Sequence, residues 1–302
     1  MLTPRSVSQV RAALTPFRRS GQRIGLVPTM GALHDGHLSL VRRARRECDV
    51  VVMSLFVNPR QFDQAADLRA YPRDEARDLE LAEHAGADVV FAPAPEIVYP
   101  DGFVTTVSVG GPADGLESTY RGRRHFDGVA TVVVKLLNMV GAEVAYFGDK
   151  DAQQVAVVRR LVTDLDIPCV IEACPTVREP DGLAMSSRNT LLTPEERARA
   201  NALYEALQSV RTAVAEGELD PAAATAPGRA ILDAAGAKLE YLTLVDPRTM
   251  APLDELDRDA LAVIAARIGA VRLIDNLAVP LPHPQTVDPA AIGICPALPR
   301  TA

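Results

Sequence analysis

Two histidines three residues apart, His34 and His37, stand inside Val27-Pro28-Thr29-Met30-Gly31-Ala32-Leu33-His34-Asp35-Gly36-His37-Leu38. Side chains at i and i+3 share one face of a helical turn, so both imidazoles reach the same ligand. Three chemistries use such a pair. A metal pair on a helix is usually spaced i and i+4, and no Cys or carboxylate cluster nearby supplies further ligands. Two polar histidines can also simply cap a surface helix. The third chemistry is donation to a nucleotide polyphosphate by neutral or protonated imidazoles. Placement favours the third. The apolar run 24–27 reads as a buried strand, a glycine-containing turn follows, and a helical pattern opens at the histidines. A helix N-terminus offers free N–H groups and the positive end of its dipole to an anion. Gly31 and Gly36 lack a Cβ, which lets a ligand lie directly against the backbone.

Other groups with chemical capacity recur at the ends of apolar runs. The continuous run 50–57, with Asp49 before it, reads as a parallel strand buried on both faces and ends in Asn58-Pro59-Arg60-Gln61. Open α/β sheets place ligands beyond such strand ends, although Asn58 and Gln61 would also suit an ordinary loop. The strand expected over 142–147 runs into Gly148-Asp149-Lys150-Asp151, where one ammonium can meet a phosphate and Asp151 can cap a helix over 152–165. Arg121-Gly122-Arg123-Arg124-His125-Phe126 gathers basic groups beside a glycine. After a strand over 170–173, Val177 leads to Gly182 and then Met185-Ser186-Ser187-Arg188, two hydroxyls and a guanidinium suited to phosphate oxygens, on a loop that Gly182 would leave mobile.

The elements that must carry these groups follow from periodicity. Helices are expected over 5–19, from Leu38 through Ala44, and over 73–86, 128–140, 152–165, 194–216 and 221–235. Strands are expected over 87–92, 105–109, 239–245 and 260–266 as well as those above. This alternation predicts an α/β fold, a doubly wound parallel Rossmann-like sheet with a smaller α+β C-terminal domain. The domain change falls at about 176–190, giving 1–176 for the nucleotide- and substrate-binding domain, 177–280 for the smaller domain with the lid loop, and a proline-rich, poorly ordered tail over 281–302.

Composition excludes several classes. A net charge of −7 argues against a broad nucleic-acid footprint, so any bound anion must be met by a local basic cluster. No run reaches the length of a membrane span, and 1–20 has no apolar core of signal-peptide length. Cys48, Cys169, Cys174 and Cys295 are scattered, as in a reduced cytoplasmic protein. With neither a G-x-G-x-x-G turn nor a G-x-x-x-x-G-K-[ST] loop, dehydrogenase and P-loop chemistry are disfavoured. The remaining layout is that of nucleotidyl transfer, attack at the α-phosphate of ATP with loss of pyrophosphate. A nucleotidyltransferase acting on a phosphorylated alcohol, a nucleotide sensor and a zinc module are the rival readings.

PTMGALHDGHLSLV, SLFVNPRQF, HFDGVATVVVKLLN, YFGDKDAQQV and VREPDGLAMSSRN resemble, in order, the signature blocks of the pantothenate synthetase family, the pantoate–β-alanine ligases. The resemblance covers residues 20–277 and implies a fold like that of the class I aminoacyl-tRNA synthetase and nucleotidyltransferase superfamily. It also implies a cytoplasmic homodimer that uses ATP and Mg²⁺ to join pantoate and β-alanine through a pantoyl adenylate. By motif, Met30, Gly31, Ala32, Leu33, His34, Asp35, Gly36 and His37 would line the ATP site, with His37 the acid-like donor to the phosphates. Gly148, Asp149, Lys150 and Asp151 would form the second nucleotide-binding turn, with Lys150 on phosphate. Val177 would touch adenine, and Met185, Ser186, Ser187 and Arg188 would form the phosphate loop. Gln61 and Gln154 would hold pantoate, with Gln61 near β-alanine. Four positions depart from the family pattern: Arg60 for an apolar residue, Arg77 for an acidic one, Asp149 for Glu and Ala152 for a bulky side chain. Asp78 remains beside Arg77, and no metal ligand is carried over.

Overall fold

The computed structural model describes residues 1–62 and 65–281; the expected tail, apart from Leu281, lies outside the described residues, as does Cys295. Strands β1 (Ile24–Thr29), β2 (Val50–Leu55), β3 (Val89–Phe91), β4 (Val144–Gly148) and β5 (Val170–Cys174) form one sheet in the order β3-β2-β1-β4-β5. All four pairings are parallel. β1 through β4 are apolar almost throughout because helices cover both faces, which explains runs without hydrophobic alternation. The strand order reverses at β1, between β2 and β4, and that is where a doubly wound sheet opens its ligand crevice.

Helices α1 (Val7–Arg19), α2 (Asp35–Glu47), α3 (Ala65–Ala70), α4 (Glu75–Ala85), α5 (Pro95–Val98), α6 (Glu117–Arg121), α7 (Arg124–Val140) and α8 (Ala152–Asp164) accompany this sheet. α1 starts at a capping box in which the Ser6 hydroxyl accepts from Gln9 and the Gln9 side chain accepts from Ser6. α4 stops at Gly86, whose left-handed φ of 102° closes the helix. One face of the sheet packs on α1, α7 and α8 and the other on α2 and α4, giving two apolar layers.

Beyond β5 come α9 (Pro194–Ala200), α10 (Ala202–Ala215) and α11 (Pro221–Ala234), then an antiparallel sheet of β6 (Lys238–Val245), β7 (Ala260–Ile268) and β8 (Val271–Val279). α10 and α11 pack on this sheet around Leu203, Leu207, Val210, Leu232, Leu242 and Ile264. Its other face meets α8 through Ala156, Val245, Met250, Leu261 and Val263.

Several sequence expectations require correction. Residues 105–109 are no strand: the Val107 amide donates to Thr131 Oγ1 at 3.0 Å instead of to a neighbouring strand. The helix expected over 194–216 breaks at Asn201, between α9 and α10. α7 begins at Arg124, not 128, so His125 and Phe126 lie in its first turn. Asp151 occupies the N-cap of α8 but makes no capping bond; its carboxylate lies 4.0 Å from the Lys150 ammonium. β8, whose interior carries Asp275 and Asn276, was not expected from the pattern.

Candidate active site

The β1–α2 turn is held by a carboxylate from elsewhere in the chain. Asp78 on α4 is buried, and its two oxygens accept the Ala32 amide at 2.9 Å and the Leu33 amide at 2.8 Å. Gly31 has φ +85°, and a Cβ there would sit 2.8 Å from Asp78 Oδ2, so glycine is required by conformation and by space. Ala32 is left-handed as well, at φ +52°. The turn delivers His34 to the N-cap of α2, where its Nδ1 accepts the Gly36 amide at 3.1 Å. The His34 and His37 rings then lie 4.1 Å apart.

Burial is the main cause that pushes His37 down to about 3, reinforced by His34 and Lys150. Burial and then Lys150 lower His34 too. Both shifts favour the neutral imidazole in the ligand-free chain. The His37 Nδ1 is buried with no partner among the described residues, an orphan that a bound molecule can satisfy.

These histidines open onto a cleft of about 220 Å³ at the C-terminal ends of β1, β2 and β4. Thr29 at the end of β1 and Met30 after it, Gly148 at the end of β4 with Lys150 and Asp151 beyond it, and Gln154 on α8 line it. Val177, Met185, Ser186, Ser187 and Arg188 close another side. α7 supplies an apolar wall of Val129, Val132, Val133 and Leu136. Among the described residues, the charged lining is three cations, Arg121, Lys150 and Arg188, against one carboxylate, Asp151. That balance supplies the local basic cluster an acidic protein needs to bind a polyanion.

Gln61 is oriented by its neighbours. Asn58 Nδ2 donates to Gln61 Oε1 at 2.8 Å and to the Gly128 carbonyl at 3.0 Å, and Tyr99 donates to Asn58 Oδ1 at 2.8 Å. With its oxygen engaged, the Gln61 carboxamide has its NH₂ donors left for the cleft. Gly128 makes this possible, because a Cβ there would fall 2.3 Å from the Arg60 carbonyl oxygen.

The loop carrying Val177 to Arg188 is a tight hairpin at its base. The Met185 amide donates to the Val177 carbonyl at 2.9 Å, and Arg178 bridges Ala184. Gly182, expected to free this loop, instead serves a packed turn: φ is +98°, and a Cβ would lie 2.2 Å from the Tyr204 ring. Ser186 caps the short 3-10 helix Ser187–Leu191.

Not every motif residue reaches the cleft. Gly31, Ala32 and Leu33 are structural parts of the turn, with Leu33 in the apolar core. Asp35 is exposed and 3.7 Å from Arg42, and Asp149 is outside the lining. Burial pushes the Asp149 carboxyl up, opposed by Arg159. The unusual Arg60 turns away to stack on Tyr99 at 4.8 Å and Phe103 at 4.7 Å, and Ala152 packs near Met250 and Val263. Neither obstructs the cleft. Asn58 supports Gln61, while Gln153, neighbour of Gln154, is tied to the Glu117 amide at 3.1 Å and the Pro112 carbonyl at 3.0 Å.

Sequence reasoning assigned no role to Arg121, His125, Tyr71 or Asp78. Arg121 closes α6, which is fixed to the small sheet because Arg272 forks Glu117 at 2.6 and 2.8 Å and Tyr241 donates to Glu117 at 2.7 Å. Burial and the nearby Arg188 lower the Arg121 pKa. His125 is pushed down to about 4, by burial first and then by Arg121, and its Nδ1 lies 3.0 Å from the Gln61 carbonyl. The basic run 121–125 was the available signal for Arg121 and His125; Asp78 had none beyond its place beside Arg77.

Among the described residues no group of three or more His, Cys, Asp or Glu is arranged to hold a metal, so the zinc reading finds no ligand set there. No helix among them is long and apolar enough to cross a membrane.

The sequence matches the family described as pantoate-beta-alanine ligase over residues 3–278. It is 53% identical over 280 residues to the pantothenate synthetase of Chelativorans sp. (strain BNC1), covering 92% of this chain and 98% of that protein. It is 51% identical over 275 residues to the pantothenate synthetase of Cereibacter sphaeroides (strain ATCC 17029 / ATH 2.4.9), covering 91% and 98%. Among solved structures, pantothenate synthetase from Thermus thermophilus superposes with a TM-score of 0.88 at 47% identity, covering 93% of this chain and all of that one. The pantoate-beta-alanine ligase from Francisella tularensis, complexed with beta-gamma ATP and beta-alanine, superposes at 0.76 with 36% identity, covering 92% and 97%.

Proposed function

This chain belongs to the pantoate–β-alanine ligase family, and on that premise we propose how its cleft performs ATP-dependent pantothenate formation. The pantoate carboxylate attacks the α-phosphorus of ATP, the bond to the bridging oxygen breaks, and pyrophosphate leaves with its electron pair. The β-alanine amine then attacks the acyl carbonyl of pantoyl adenylate, AMP departs, and the amine proton is released.

The observation that carries this reading is that one cleft combines two chemistries. Its lining includes the start of α2, the two imidazoles, Lys150, Ser186, Ser187, Arg188 and Arg121. We assign these to the triphosphate, where donors fixed in advance stabilise the charge that develops as pyrophosphate leaves. Val177 and Met185 are assigned to the adenosine end. The same lining includes Gln61 and Gln154 and the apolar α7 wall. Two uncharged carboxamides orient a hydroxy acid without a salt bridge that would quench its nucleophilic carboxylate, and the wall suits its dimethyl carbon.

Mg²⁺ fits as a companion of ATP rather than as a protein-caged ion. Both Asp78 oxygens are occupied by backbone amides, and Asp151 is the lining carboxylate available. Mg²⁺ is commonly held by one or two carboxylates, substrate phosphates and water, and there it neutralises phosphate charge. We further assign 1–176 and 177–280 as the two domains, a homodimer as the working form and the cytoplasm as its location.

AMP release tests the reaction, measured with ATP, Mg²⁺, pantoate and β-alanine and with each acid omitted. Release that needs both acids, with an equal yield of pantothenate, is expected; saturable ATP binding without turnover would favour a nucleotide sensor. Light scattering after size exclusion checks the dimer, and a monomeric mass at assay concentration would reject it.

A further inference from the structure

Two consecutive polar residues on β8 are buried, Asp275 and Asn276, in a strand whose inner positions are otherwise apolar. Successive strand residues face opposite sides of a sheet, so the pair grips two different parts of the molecule. The Asn276 carboxamide donates both protons of Nδ2, to the Asp149 carbonyl at 2.8 Å and the Lys150 carbonyl at 3.0 Å. Asp275 forks Arg178 at 2.6 and 3.0 Å, and the Arg178 guanidinium also donates to the Asn276 carbonyl at 3.1 Å and the Gly182 carbonyl at 3.0 Å. Arg178 lies over the Tyr204 ring at 4.1 Å. One dipeptide of the small sheet therefore ties together the β4–α8 turn that bears Lys150 and the hairpin that bears Val177 and Met185.

We propose that Asn276 and Asp275 are positioning residues for adenylate formation: Asn276 fixes the main chain from which Lys150 reaches the phosphates, and Asp275 sets the nucleotide-binding hairpin against it. The inference rests on the assignment of Lys150 to phosphate. Both side chains line the adjoining cavity, which shares Arg121, Lys150 and Gln154 with the cleft, rather than the cleft itself, and their hydrogen bonds run to the Asp149 and Lys150 main chain and to Arg178. With the Lys150 carbonyl anchored, the ammonium is aimed by its side-chain rotamer alone and does not also depend on the wandering of a turn. A misplacement of about 1 Å at a reacting centre costs on the order of 10²-fold in rate.

The test is pantoate-dependent pyrophosphate–ATP exchange in wild type, Asn276→Ala, Lys150→Ala and the double variant, each at high enzyme concentration. Asn276→Ala should lower exchange about 10- to 100-fold. In the Lys150→Ala background the same change should cost no more than about twofold, because it acts through a group already removed. Asn276→Asp, equal in size but presenting an oxygen to two carbonyls, should lose at least as much and serves if the alanine variant does not fold. Equal losses in both backgrounds would mean general structural damage and overturn the proposal, as would undiminished exchange in Asn276→Ala. Lost exchange in Lys150→Ala beside normal exchange in Asn276→Ala would sink the positioning role alone. Wild-type exchange independent of pantoate would instead overturn the functional reading on which it rests.

Discussion

Replacing Asp78 by alanine removes the acceptor of two backbone amides, Ala32 at 2.9 Å and Leu33 at 2.8 Å, from a buried site. Hydrogen bonds to a charged acceptor contribute about 1.5–3 kcal/mol each, so the gross loss is about 3–6 kcal/mol. Relief from burying a carboxylate offsets part of this, and a net destabilisation of about 3 kcal/mol is expected. At roughly 2–4 °C per kcal/mol, the thermal midpoint should fall by about 6–12 °C. Gly31 and Ala32 hold left-handed conformations, and Ala32 has no glycine freedom to sustain one without its tether. The released turn should then misplace His34 and His37, and the KM for ATP should rise about tenfold or more. Differential scanning fluorimetry and ATP titration at saturating pantoate measure both effects. An unchanged midpoint with unchanged ATP KM, accompanied by a higher Mg²⁺ requirement, would refute the scaffold argument and make Asp78 a metal ligand.

Two further outcomes follow from the same geometry. His37 and His125 titrate near 3 and 4 in the folded chain against about 6.5 unfolded, so between those values the unfolded state binds more protons. Stability should therefore fall as pH drops below about 6.5, by up to ~1.4 kcal/mol per pH unit for each histidine. His37→Gln should make the fall of the urea midpoint between pH 7 and 4.5 shallower, and an unaltered slope would show that His37 is not held neutral. Gly128→Ala would place a Cβ 2.3 Å from the Arg60 carbonyl oxygen and push the Gln61 turn aside. The pantoate KM should rise about tenfold or more with little change in ATP KM, and a wild-type pantoate KM would remove Gln61 from substrate orientation.

Local sequence determined the elements whose causes are local. The apolar runs of β1, β2 and β4 announced strands buried on both faces, and the glycine turns before α2 and α8 announced where backbone donors would gather. His34, His37, Gln61, Lys150 and the Ser186–Ser187–Arg188 run were legible because each sits at or just past the end of an element, Gln154 was legible only through the family resemblance, and all line one cleft. What the tertiary structure decided was every relation between distant segments. Residues 105–109 have strand-like composition, yet no ladder forms because the Val107 amide turns to Thr131. Arg60 departs from the family pattern beside Gln61, and the fold stacks it on Tyr99 and Phe103, outside the cleft lining. Asp78 and Asn276 act on turns 45 or more residues away in sequence, through hydrogen bonds to main-chain groups whose identity no side-chain pattern records. Periodicity reports which face of a segment avoids water; a buried polar residue satisfied by a remote backbone leaves no period, and only the folded chain reveals its partner.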